Sequence, residues 1–171
     1  MTVERQAADV FQDLYPRLVG ALGLFCGDRS MAEDLAQDAL SRLWERWPTS
    51  RRPAHPMAWC YRVGVNLARS AARRRAVEKR ALRPLALAPD IADGTGAVAD
   101  AVTVRAALLE LPARQRQAVV ARYYLGLSVE EAALAMGCAS GTVTALTHQA
   151  IVNLRRPDLL GIPGSHEEVG A

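Results

Sequence analysis

"SVEEAALAMGCASGTVTALTHQAIVNLRR", residues 128–156, is the stretch whose reading decides the fold. Ser128 is followed three positions later by Glu131, the spacing of a reciprocal helix cap. The apolar run after it stops at Gly137, where a left-handed residue can close a helix. Ser140 reads as the cap of a second helix, and Pro157 as its stop. Two helices joined by a short Gly-containing turn form the helix-turn-helix pattern, whose second helix enters a DNA groove. That second helix has an oddity. From Ser140 to Leu154 it holds no Arg or Lys, and its one candidate cation is His148.

Upstream of this pair, "AVTVRAALLEL" and "PARQRQAVVARYYLG" read as two more helices. Pro112 sits where a helix can start. Val119, Val120, Tyr123 and Tyr124 are expected on the core face, with Gly126 as the end. Residues 84–100 carry prolines, glycines and acids without a helical stripe, and read as a flexible linker.

Before the linker, Val10, Phe11, Leu14, Tyr15, Leu18, Val19, Leu22 and Phe25 recur at helical spacing. Gly27 breaks this helix, with Asp28 or Ser30 as the next N-cap. In "MAEDLAQDALSRLWERW", Leu35, Ala39, Leu40, Leu43, Trp44 and Trp47 share one face, and acids in the first turns suit the helix dipole. Pro48 ends it. Pro56 is placed to open a third helix. That helix is apolar at first, through Met57, Trp59, Cys60, Val63 and Leu67. It becomes a cationic rod with Arg69, Arg73, Arg74, Arg75, Lys79 and Arg80. No strand-like alternation appears. The expected architecture is all-α: two small helical domains, 8–83 and 101–156, joined by the linker and followed by an acidic tail at 157–171.

The 171 residues carry a net charge of +3, which says little, but the charge is sorted along the chain. Residues 51–83 hold 10 basic residues and 1 acidic one. That density is the footprint of a nucleic-acid or acidic-surface binder. Cys26, Cys60 and Cys138 form no metal-ligand or disulfide spacing, so each is expected to be a small apolar core residue in a reducing cytosol. There is no signal peptide, no span long enough for a membrane and no phosphate-binding glycine loop. His55, His148 and His166 stand far apart. Hence no enzyme, catalytic residue, metal, cofactor or small-molecule substrate is expected, and the protein reads as cytoplasmic.

The whole chain, over residues 9–156, resembles the extracytoplasmic-function (ECF) group of the bacterial sigma-70 family of RNA polymerase sigma factors, in an actinobacterial-type wording. "AEDLAQDALSRLWERW" resembles the family's polymerase-binding helix, "PMAWCYRVGVNLARSAARRR" its −10 segment, and "LLELPARQRQAVVARYYLGLSVEEAALAMGCASGTV" its −35 domain. The resemblance implies core polymerase and promoter DNA as partners, with an anti-sigma factor or co-activator besides. It implies polymerase contacts at Gln37, Asp38, Arg42 and Glu45. It implies −10 contacts at Arg51, Arg52, Trp59, Arg62, Asn66, Arg69, Arg73 and Arg74, with a flipped base held by the loop "TSRRPAHP". Arginines pair with phosphates, aromatic rings stack on unpaired bases, and an Asn amide both donates to and accepts from a base edge. Without the resemblance, the exposed side of the second helix is a solvated face and Trp59 a core residue.

At the last helix the chain departs from its relatives, which read something like "GTVKSQTSRGLARLR". Here Thr144 replaces a Lys, Ala145 a Ser, His148 a Ser and Gln149 an Arg. Three readings stay open. Ser140, Thr142, Thr144, His148, Arg155 and the helix N-terminus read the −35 element, flanked by Arg114, Arg116, Arg122 and Arg156. Or the reading is weak and a partner supports it. Or the domain binds protein, and the chain is a sigma-like interaction module.

Overall fold

The computed structural model describes residues 3–48, 51–81 and 99–155. Among them are seven α-helices and one π-helical turn, with no strand. The first three helices are α1 (Val3–Cys26), α2 (Arg29–Arg46) and α3 (Pro56–Ala81). They are followed by α4 (Ala99–Glu110), α5 (Ala113–Val119), which runs into the π turn Val120–Tyr124, α6 (Val129–Met136) and α7 (Ser140–Leu154). The chain is thus all-α, as its periodicities predict. The linker reading at 84–98 and the tail reading at 157–171 lie outside the described residues. α4 already begins at Ala99, within the stretch read as linker.

The caps follow local chemistry. Asp28, the first of the two candidates, caps α2 by accepting from Met31 N at 2.9 Å. Ser128 and Glu131 make the reciprocal cap on α6, and Gly137 closes it at φ +62°. Two expectations fail. No acid lies in the first turn of α2; Glu33 is one turn further in and pairs with Arg29 at 3.0 Å. And Ser140 is the first residue of α7, not its cap. Ala139 holds the cap position without a side-chain bond, so the first N–H groups of α7 lack a capping hydroxyl.

α1, α2 and α3 pack around Leu18, Leu22, Leu43, Cys60, Tyr61 and Val65, all fully buried. Burying each of the leucines contributes about 1.5–3 kcal/mol. Gly64 lets α3 approach α1: a Cβ there would stand 2.7 Å from Leu22 Cδ1. Trp44, expected inside, is 51% exposed, and its ring meets the edge of Phe11 at 5.5 Å. Trp47, just past the helix, takes the buried place.

The second group of helices shows the larger correction. Val119 and Val120 are buried as expected, but Tyr123 is 65% exposed and Tyr124 48%. The π turn is the reason. It winds more residues into each turn, so the face rotates and Ala121 goes inside instead. The Leu125 amide bonds the Val120 carbonyl at 3.0 Å within this wider turn.

The two groups are not separate in space. One continuous core runs from Leu14 and Tyr61 to Leu125, Ala132, Met136 and Val143. Here α3 lies on α6, and α1 on α4 and the π turn.

Candidate nucleic-acid and polymerase interfaces

On α2, the residues facing away from the core include Gln37, Asp38, Arg42 and Glu45, all exposed. They share a polar surface of mixed charge opposite Leu35, Ala39 and Leu43.

On α3, Trp59, Arg62, Asn66, Arg69 and Arg73 follow the spacing i, i+3, i+7, i+10, i+14. This puts them in one stripe about 80° wide and roughly 21 Å long. Arg62, Asn66 and Arg73 are exposed, Trp59 and Arg69 half-buried. Arg73 Nη2 donates to Ser70 Oγ at 3.0 Å. Arg74 is exposed but lies to one side of the stripe. Trp59 packs against the core at its base and carries the Arg46 guanidinium 5.2 Å above its ring, so it is neither wholly core nor wholly free. Arg51 and Arg52 are exposed in the loop before α3, where Arg52 stacks on Trp47 at 3.9 Å. Pro53, Ala54, His55, Ala58, Trp59 and Arg62 line a cavity of about 280 Å³ at the foot of the stripe, and Leu134 of α6 closes it.

α7 exposes Ser140, Thr142, Thr144 and His148, and Arg155 just past its end. Thr144 Oγ1 donates back to the Ser140 carbonyl at 3.3 Å. Gly141, Ala145 and the half-exposed Val152 lie among them, so the outer face is short, uncharged and partly apolar. Two of its expected flanking cations are committed elsewhere. Arg116 donates to the Leu109 carbonyl at 3.2 Å and sits over Phe25 at 5.4 Å. Arg122 donates to the Leu127 carbonyl. Arg114 and Arg155 are exposed, and Arg156 lies outside the described residues.

The model of sigma-70 region 2 matches residues 10–77, and that of sigma-70 region 4 matches residues 101–154. The RNA polymerase sigma-E factor of Streptomyces coelicolor is 35% identical over 124 residues, covering 72% of this chain and 70% of its own. This chain is an ECF sigma factor of the sigma-70 family. The ECF RNA polymerase sigma factor SigL of Mycobacterium tuberculosis is 32% identical, covering 75% of each chain. Among solved structures, the sigma factor RpoE in complex with the anti-sigma factor NepR, from Bartonella quintana, superposes with a TM-score of 0.74. It has 26% sequence identity and covers 91% of this chain and 96% of that one. Sigma factors are polymerase subunits that bind promoter DNA and are not enzymes. Among the described residues, no helix is long and apolar enough to cross a membrane.

In this sigma factor the cysteines are free. Burial raises the Cys60 thiol to about 12 and the Cys26 thiol to about 11, so both stay protonated at neutral pH. Two contacts between the halves of the chain carry no sequence signal. His55 Nδ1 lies 2.9 Å from Glu131 Oε1, across 76 residues of sequence. Gln117 of α5 is buried and accepts from Arg69 of α3. Helical spacing predicts neither, because each partner lies on a helix from the other half of the chain.

The Ser128 backbone N–H, followed by His55, holds the Glu131 carboxyl below the usual carboxylate range. A depressed folded value means stability that is present above the unfolded value, 4.5, and lost as pH falls through the folded one. Amide exchange in the first turn of α6 is therefore expected to rise as pH is lowered below 4.5, beyond the intrinsic pH effect on exchange. A Glu131→Gln variant should show no such step, and an equal step in both proteins would refute the assignment.

Proposed function

We propose that this sigma factor docks on core polymerase through the outer face of α2, melts and holds the −10 element on α3, and places α7 at the −35 element. The observation that carries the reading is the α3 stripe. A stacking ring, an amide and three guanidiniums on one helical line suit an unpaired strand, whose phosphates and bases run side by side. The cavity at its foot, between Trp59 and His55, has the size and lining for an extruded base. On α2, Gln37, Asp38, Arg42 and Glu45 are the proposed polymerase contacts. Arg51 and Arg52 support the melted strand from the loop. On α7, contact falls to Ser140, Thr142, Thr144, His148 and Arg155, through hydroxyls, backbone N–H groups and thymine methyls rather than cations. The likeness to a sigma factor solved with its anti-sigma factor supports a partner of that kind here.

The uncharged face of α7 favours a second reading, in which the C-terminal domain serves protein contact and the −10 segment alone reads sequence. One experiment tests both. The protein is added to sigma-free core polymerase, and transcript 5′ ends are mapped on fragmented genomic DNA. Discrete starts with aligned −35 and −10 blocks are the expected result. A −10 block alone favours the second reading, and no starts would refute the proposal. Asp38→Ala with Arg42→Ala should lower core-polymerase affinity about tenfold or more, read by fluorescence anisotropy, with unchanged helicity. Unchanged affinity would remove α2 from the docking surface.

A further inference from the structure

The smaller of the two core clusters is open on one side. Leu108, Leu111, Val119 and Ala150 are buried in it, and Leu24 and Leu154 pack at its edge. Beside them α1, α4, the π turn and α7 leave a cavity of about 310 Å³, walled by Leu24, Val104, Leu108, Tyr123, Tyr124 and Leu154. Val104 is 55% exposed, and the π turn has put both tyrosines on the outside. Tyr124 is fixed there, because its hydroxyl lies so closely over Gly20 of α1 that a Cβ would not fit. No charged or amide side chain lines the cavity, so it offers little to a phosphate or a base edge. Large apolar side chains gathered at one exposed site, rather than scattered singly, mark a place where another apolar segment docks.

The chain itself delivers such a segment. α7 ends at Leu154, which is a wall of the cavity, and residues 156–171 follow the last described residue, Arg155. Pro157 lacks the N–H to extend the helix. Leu159, Leu160 and Ile162 come next, three large apolar residues within four positions. Leu159 stands five residues from Leu154, and five residues reach at most about 17 Å. That is ample to bring Leu159 over a cavity that Leu154 itself bounds. Beyond Pro163 the tail turns polar and acidic, through Ser165, His166, Glu167 and Glu168. The stretch before α4 offers less. Within eight residues of Val104, on its side of the cavity, that stretch holds only Val98 as a large apolar residue.

We propose that residues 159–162 dock in this cavity and complete the smaller core, so that the tail of the free protein is the cavity's own occupant. Three apolar side chains meet an apolar wall, and the attachment at Leu154 makes the meeting intramolecular. A short connection holds the segment at a millimolar effective concentration, so occupancy needs no tight intrinsic binding. A protein that takes this face then competes with the tail rather than with water.

Full-length protein with Leu160 replaced by the photoreactive p-benzoylphenylalanine is irradiated, and the joined peptides are mapped by mass spectrometry. The expected product is monomeric and links the tail to residues 104–124 or to Leu154. A dimeric product would give the cavity to a second copy. A tail linked elsewhere, or to nothing, would leave the cavity to another occupant. Either result overturns the proposal. Val104→Glu, at an exposed position of the wall, should lower the yield of this link, and an undiminished yield would place the tail off the cavity. Hydrogen exchange is the second readout, on native protein and on Leu159→Asp with Leu160→Asp. The double variant should exchange about fivefold faster over residues 104–108 and 119–124. That is the protection given by a millimolar effective concentration against a Kd of about 0.25 mM. Exchange in α2 should be the same in both, since the change lies outside every described helix. Equal exchange at the cavity in the two proteins would overturn the docking.

Discussion

Replacing Arg73 and Arg74 by alanine together should weaken holoenzyme binding to its promoter about a hundredfold, roughly tenfold for each charged contact removed. Both side chains are exposed towards the end of α3, Arg73 on the stripe and Arg74 beside it. The loss should therefore fall on DNA and not on folding. Its signature is electrostatic. The slope of log affinity against log salt should flatten by about two units, one for each phosphate contact, with little change in sequence preference. Asn66→Ala is the contrasting case. It removes no charge, so the slope should hold while discrimination at one −10 position drops by about 1–3 kcal/mol. A steep slope retained in the double variant would take the phosphates away from this end of α3.

The second large effect lies in the core. Leu22→Ala should cost about 2–5 kcal/mol, since Leu22 is fully buried between α1 and α3. That is a large part of the 5–15 kcal/mol available to an ordinary domain. Gly64→Ala alone should cost about 1–3 kcal/mol despite the better helix propensity of alanine. Its Cβ would stand 2.7 and 2.8 Å from the two Cδ atoms of Leu22, and nothing in a packed core yields freely. The two changes should be strongly coupled. In the Leu22→Ala background the new methyl enters the vacated space, and Gly64→Ala should turn neutral or stabilising. A coupling energy of about 1–3 kcal/mol from chemical denaturation is expected. Additive costs would mean that the helices move apart to relieve the crowding.

The positions of the helices were legible in the sequence because they depend on neighbours within one turn. The apolar spacing of Leu14, Leu18 and Leu22, the Asp28 and Ser128 caps, Pro56 and Gly137 each act over a few residues. The α3 stripe was legible for the same reason: five residues at helical spacing share a face wherever the helix sits. Two errors had local causes that spacing does not show. A π turn swung Tyr123 and Tyr124 outward, and Ala139 rather than Ser140 took the cap of α7. What only the tertiary structure decided is how one half of the chain meets the other. Gln117 beneath Arg69, Glu131 beside His55, Leu134 over the Trp59 cavity and Arg116 on Phe25 join residues 48 to 91 positions apart. Such pairs leave no periodicity, because a side chain is chosen there for a partner that folding, not the local chain, brings within reach.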